Sequence, residues 1–331
     1  MKKTKLIKGI AILACIPALA LAACSSSGGR DTGTSTEGTG GAVADTPEIT
    51  IAMITHAAPG DTFWDIVRKG AETAAAKDNV NLVYSGDPDG GRQAQLIQQA
   101  IDQDVDGIAV TFAKADAVKD AVANAIAAGI PVVGFNGGQE EALEAGVVTY
   151  VGQDDLVAGQ TAGEKLVEDG FTHPICMIME QGHVGLEARC AGIKEKVPGT
   201  EILYVQGTDM TQVTSTLTAK LQSTPDADIV MGLGAPFTVA AVGAVEDLGS
   251  DIKVGSFDMS ADLAKLIADG SVVFTVDQQP YLQGYESVDA LWLYNNGGFE
   301  LGGGGPIATG PNIITTENAA LVLEQAEKGI R

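Results

Sequence analysis

The sequence predicts an α/β protein made of two doubly wound lobes of mostly parallel sheet, and three observations carry that prediction. Apolar strand-like runs alternate with segments of helical periodicity along most of the chain, the mark of βαβ units and a parallel sheet. Some of these runs, such as Pro131-Val132-Val133-Gly134-Phe135, are continuously apolar, as strands covered on both faces must be. The alternation extends over roughly 280 residues, more than one core usually holds, and a second series begins after residue 152, so two similar halves facing a cleft are expected.

In the first half, β-rich alternation over 48–54 predicts a strand, apolar residues at helical spacing over 62–77 a helix, and 81–85 a second strand. Helix 92–103, strand 107–112, helix 116–128 and strand 130–135 repeat the beat, and 147–152 adds a strand with little helix before it. The second half reads as helix 156–168, strand 175–179, helix 184–196, strand 201–205, helix 211–222 and strand 229–233. It continues with helix 236–248, strand 253–257, helix 261–268, strand 271–276 and a long amphipathic helix over 281–294. The glycines at 302–305 before Pro306 read as a flexible turn, since a phosphate loop needs Lys-Ser/Thr after its glycines and a helix starting there.

Ahead of this body stands a leader. Lys2, Lys3, Lys5 and Lys8 precede an apolar run over 10–21, a secretory layout whose run is shorter than the roughly 18–20 residues a membrane span needs. Leu21-Ala22-Ala23-Cys24 resembles a bacterial lipobox, which implies a signal peptide over 1–23 and lipid attachment at Cys24, the protein's one link to a membrane. Residues 24–47 are rich in Ser, Gly, Thr and Asp with little to bury, and read as a flexible polar linker.

The formal net charge is −23. Removing the four leader lysines makes it −27, a surface that repels phosphate backbones, so nucleic acid is a poor partner. With Cys15 in the leader and Cys24 lipidated, Cys176 and Cys190 remain as a pair in an oxidising compartment, either bridged or as two buried thiols. The three histidines, His56, His173 and His183, are too scattered for a zinc motif, and no nucleophile elbow or dinucleotide fingerprint is present. Asp87-Pro88-Asp89-Gly90-Gly91 starts like a calcium loop, but Gln98 stands where the bidentate Glu belongs. No catalysis, cofactor or metal is expected.

In open α/β sheets, ligands bind beyond the carboxyl ends of the strands. Asp61, Phe63 and Trp64 follow the first strand, Asn136 and Gly137 the fourth, Asp258 the ninth and Gln278 the tenth. Aromatics offer an apolar face to the C–H side of a ring, while carboxylates and amides match hydroxyls that both donate and accept, so this set suits a polyhydroxylated small molecule. Asp61 and Asp258 are also natural helix caps, Phe63 and Trp64 could pack in the core, and His56 could line the cleft or a loop.

DTFWDIVRKGAE at 61–72, DGIAVT at 106–111, AGIPVVGFN at 128–136, VGQDD at 151–155, VGSFD at 254–258 and VDQQPYLQGY at 276–285 together resemble the ribose- and galactose-binding type of periplasmic binding protein, from about residue 49 to 320. The resemblance implies two lobes joined by a three-stranded hinge: 48–152 with 279–308, and 153–278 with 309–331. It places ring-stacking aromatics on Phe63 and Trp64, a polar position on Asp61, and a second-lobe Arg, Asp and hinge-side Gln on Arg189, Asp258 and Gln278. The first-lobe carboxylate and Arg fall on Asn136 and Gly137, the Asn after the eighth strand on Gly234 or Ala235, and a second-lobe aromatic near Thr208 and Asp209. These departures imply a roomier pocket than one for ribose, open to a hexose, a sugar alcohol or an inositol. The implied role is a monomeric substrate-binding lipoprotein on the outer face of the cell membrane that delivers its cargo to the permease subunits of an ABC importer. Presentation to a chemoreceptor or sensor kinase is the alternative. A transcription regulator of the same fold would need a helix-turn-helix and a basic surface, and an exported enzyme a triad or metal motif; the sequence has neither.

Overall fold

The computed structural model describes residues 43–58 and 61–331; the leader, Cys24 and most of the polar linker lie outside them. One sheet comprises β1 (Ile49–Thr55), β2 (Val80–Gly86), β3 (Gly107–Thr111), β4 (Val132–Phe135), β5 (Thr149–Gly152) and β11 (Ile307–Ala308), in the order β11-β5-β4-β3-β1-β2, all parallel. The other comprises β6 (Pro174–Ile178), β7 (Glu201–Tyr204), β8 (Ile229–Gly232), β9 (Lys253–Phe257), β10 (Phe274–Asp277) and β12 (Asn312–Thr315), in the order β12-β10-β9-β8-β6-β7, with β12 antiparallel to β10. Matching β1–β5 to β6–β10 and β11 to β12 makes the two orders identical. The central strands β3, β4, β5, β6 and β8 are buried at every residue, while the edge strands β2 and β7 are partly exposed, which is why only the former read as unbroken apolar runs.

Helices α1 (Thr62–Asp78), α2 (Gly90–Asp102), α3 (Ala115–Ala127), α5 (Asp155–Glu168), α6 (Val184–Lys196), α7 (Met210–Ser223), α8 (Ala235–Asp247) and α9 (Ala261–Ala268) cover the sheets. Asp61, Asp89, Asp154, His183, Asp209 and Ser260 cap six of them by accepting backbone N–H bonds. Three features were not expected: a six-residue helix α4 (Gln139–Glu144) precedes β5, and β12 and α11 (Ala319–Glu327) end the chain. Residues 301–304 form a 3-10 turn in which Gly302, Gly303 and Gly304 all adopt positive φ, so the glycines there answer a backbone need.

The chain passes between the sheets three times: from β5 into α5, from β10 into α10 (Pro280–Gly297), and from β11 into β12. Each crossing carries the next helix to the other lobe, so α5 packs on α6 and α10 packs on α1 and on β3, β4 and β5. Both helix pairs approach closely through glycine. A Cβ on Gly70 would stand 1.9 Å from the Tyr281 carbonyl oxygen, and one on Gly159 2.2 Å from that of Arg189. Cys176 on β6 is bridged to Cys190 on α6, resolving the two options left by the sequence and tying α6 to its sheet beside Arg189.

Candidate functional site

A cavity of about 610 Å³ lies where the carboxyl ends of both sheets meet. Residues following β1, β2, β3 and β4 (His56, Pro88, Lys114, Asn136) line it from one lobe, and residues following β6, β7, β8, β9 and β10 (Met179, Thr208, Gly234, Asp258, Gln278) from the other.

Asn136 and Asp258 occupy matching places after β4 and β9. Both take left-handed backbone conformations, with φ of 68° and 71°, unusual for residues other than glycine and best tolerated by Asn and Asp. Each backbone N–H still donates to the neighbouring strand, to Val151 O at 3.0 Å and Val276 O at 2.9 Å, so the strained turn ends the strand while both side chains line the cavity.

These side chains share one polar network. Gln278 Nε2 donates to Asp258 Oδ1 at 2.5 Å, and Gln278 Oε1 accepts from Asn136 Nδ2 at 3.3 Å and from Gln283 Nε2 at 3.0 Å. Asn136 Nδ2 also donates to Gln283 Oε1 at 3.0 Å, while Thr309 Oγ1, on the third crossing, donates to Gln278 O at 2.8 Å. Residues of the second and third crossings thus join Asn136 and Asp258 in holding the floor of the cleft.

Arg189, 3% exposed, donates from Nε to Asp155 Oδ1 at 2.8 Å and lies 3.9 Å through Nη1 from Asp258 Oδ1, its guanidinium over the Phe257 ring. Burial alone would lower its pKa, but Asp155 and Asp258 outweigh burial and raise it, so the cation is secure. Burial pushes the Asp258 carboxyl up to about 6, although Arg189 and Gln278 pull it back. Asp61 is likewise raised by burial; it caps α1 through Phe63 N at 3.0 Å and also faces the cavity.

Phe63 is half-buried, and Trp64 is buried in the core against His56, Phe63 and Phe135 in edge-to-face contacts while still reaching the cavity. Of the sequence candidates, Asp61, Phe63, Trp64, Asn136, Arg189, Asp258 and Gln278 line one cavity. Gly137 and Asp209 do not. Gly137 lies behind the lining against His183, and Asp209 is an exposed cap of α7 bonded to Gln212 N at 3.1 Å. The second-lobe aromatic comes instead from Phe237, in the first turn of α8, whose ring fills the space beside Gly207 and Gly234. Applying the strand-end rule to the eighth strand would have found it.

His56, Lys114, Glu180 and His183 also line the cavity. His56 and His183 are far apart in sequence, yet their Nε2 atoms lie 3.2 Å apart, and Lys114 pairs with Glu180 at 2.9 Å. No local motif announces such a contact, because the lobes supply one partner each.

Two doubly wound lobes, crossed three times by the chain and enclosing a polar, aromatic-lined cavity at their strand ends, define a two-lobed binding protein of the periplasmic type. The chain belongs to the periplasmic binding protein domain family, whose model matches residues 51–298. A carbohydrate transporter from Acidothermus cellulolyticus, solved in complex with myo-inositol, is 49% identical, with a TM-score of 0.85 over 86% of this chain and 100% of that one. An ABC transporter solute-binding protein from Burkholderia graminis, solved with D-arabinose, is 26% identical, with a TM-score of 0.72 over 82% of this chain and 96% of that one. The xylose/arabinose-binding protein XylF of Sulfolobus acidocaldarius is 25% identical over 276 residues, 77% of this chain and 68% of the relative.

Proposed function

We propose that the protein captures a ring-shaped polyol in the interlobe cavity, with myo-inositol the foremost candidate, and delivers it to an ABC import permease. The observation that carries this reading is the buried set Asp258, Arg189, Asn136 and Gln278 facing a cavity lined by Phe63 from one lobe and Phe237 from the other. A buried carboxylate accepting hydroxyl protons forms charge-assisted bonds, and a cargo lacking one such hydroxyl leaves a polar group unpaired, worth about 1–3 kcal/mol of discrimination. The cavity of about 610 Å³ leaves room for a six-membered ring bearing a hydroxyl on every carbon. The 49% identity to a protein solved with myo-inositol supports the choice of cargo.

Cargo held by both lobes favours their closed arrangement, and a permease reading that arrangement would accept only the loaded protein. Cys24 supplies the lipid anchor, the polar residues after it the tether, and the protein acts as a monomer without cofactor or metal. Isothermal titration with myo-inositol, hexoses, pentoses, linear sugar alcohols and amino acids tests the reading. Tight binding of myo-inositol, weakened by loss of single hydroxyls, is expected; silence of every polyol alongside binding of amino acids would overturn it.

A further inference from the structure

The contact between His56 and His183 is a lobe-to-lobe hydrogen bond whose protons can be placed. His183 caps α6, and its Nδ1 accepts the backbone N–H groups of Gly185 at 3.1 Å and Leu186 at 3.3 Å. An accepting ring nitrogen carries no proton, so the proton of neutral His183 sits on Nε2 and is donated to His56 Nε2, 3.2 Å away. His56 Nε2 is therefore bare, and its proton is on Nδ1, donated to Thr111 Oγ1 at 2.8 Å. Thr111 is in turn held by Gln93 Nε2 at 2.9 Å.

This chain of bonds has no place for another proton. On His56 it would set N–H against N–H; on His183 it would face two backbone donors. Neighbouring bonds join the lobes at the same rim: Val184 N–H donates to Ala113 O at 3.0 Å, and Lys114 pairs with Glu180 at 2.9 Å. Gly137 lies against the His183 ring, and a Cβ there would stand 3.2 Å from Cε1.

We propose that His56 and His183 form a neutral ring-to-ring latch that holds the two lobes together at the cleft rim and lets go on acidification. A metal site is the rival use of these residues, since suitable atoms of His56, Glu180 and His183 all lie within 4.8 Å of one another. A metal needs the Nε2 lone pair of His183, which the two backbone donors at Nδ1 deny it, and Glu180 is already paired with Lys114. The hydrogen bonds decide for the latch.

The charged groups around the rings are Lys114 before α3, Glu180 after β6, Arg189 on α6, Asp155 on α5 and Asp61 before α1. Burial, Lys114 and Arg189 lower His56 to about 3, and burial, His56 and Arg189 hold His183 well below 6.5. With the lobes apart, His56 faces water and titrates near the ordinary value of about 6.5. The folded, closed-state pKa is the lower one, so closure is fully favoured above about pH 6.5, and the closed-to-open ratio falls about tenfold for each pH unit below it.

The inference concerns the cargo-free protein and does not depend on the identity of the cargo. Small-angle X-ray scattering of that protein between pH 8 and pH 5 reads lobe separation directly. A closed-to-open ratio roughly tenfold lower at pH 5.5 than at pH 7.5 is expected. His183→Asn keeps a side-chain acceptor for the start of α6 but cannot reach His56; it should lower the ratio at pH 7.5 by about 2- to 12-fold, as for one lost hydrogen bond, and flatten the pH response. His56→Leu, measured alongside, should do the same should the first variant fold poorly. A pH-independent wild type, variants that respond to pH as the wild type does, or closure and thermal stabilisation by Zn²⁺ alone would overturn the latch.

Discussion

Replacing Asp258 by Asn should strengthen the cargo-free fold and weaken cargo binding together. Asp258 is buried, and burial lifts its carboxyl from 3.8 to about 6 against the pull of Arg189 and Gln278. Because the folded value lies above the unfolded one, ionising the group inside the protein opposes folding: the effect is absent below about pH 4, grows to about pH 6 and is constant above. About two pH units at roughly 1.4 kcal/mol each give an upper bound near 3 kcal/mol at pH 7. Asn keeps the shape and the acceptor for Gln278 Nε2 without the charge. Urea unfolding of the cargo-free proteins should therefore show the variant more stable by up to about 3 kcal/mol at pH 7 and equal to the wild type near pH 4. Two hydroxyl bonds that change from charge-assisted to neutral lose about 1 kcal/mol or more each, so calorimetric affinity for myo-inositol should fall by about 30-fold or more. A variant less stable at pH 7, equally shifted at both pH values, or binding as the wild type does would refute the reasoning.

Reduction, or the pair of changes Cys176→Ala and Cys190→Ala, should destabilise the fold by about 3 kcal/mol in urea unfolding, since the bridge closes a short loop between β6 and α6; an unchanged midpoint would contradict this. Trp64→Ala, removing a buried ring packed on three others, should cost about 3–5 kcal/mol of stability. Phe63→Ala should chiefly weaken cargo binding, and calorimetry beside thermal melts separates the two. Asp209→Ala should lower stability by about 1 kcal/mol through loss of the α7 cap and leave affinity unchanged, whereas lost affinity would return Asp209 to the site.

The α/β alternation was legible because central strands covered on both faces have no choice but to be apolar, and β4, β6 and β8 stand out for that reason. The short helix α4 was not, since one and a half turns with three glutamates carry too little periodicity. The second visit of the chain to each sheet was expected only through the family resemblance, because β11 has two residues and its place depends on β5. In the site, Asn136, Asp258 and Gln278 were legible from their position after strands. Asp209 misled because the resemblance set a second-lobe aromatic beside it, yet its side chain turns back to cap α7. The pairing of His56 with His183 belongs to the meeting of the lobes, which no stretch of sequence encodes locally.

A crystal structure of the protein grown with myo-inositol tests the central claim most directly. The account predicts the cyclitol ring in the interlobe cavity, its apolar face against Phe63 or Phe237 and its hydroxyls within hydrogen-bond reach of Asp258, Arg189 and Asn136. A cyclitol bound elsewhere, or bound in the cavity without touching Asp258 and Arg189, would contradict it.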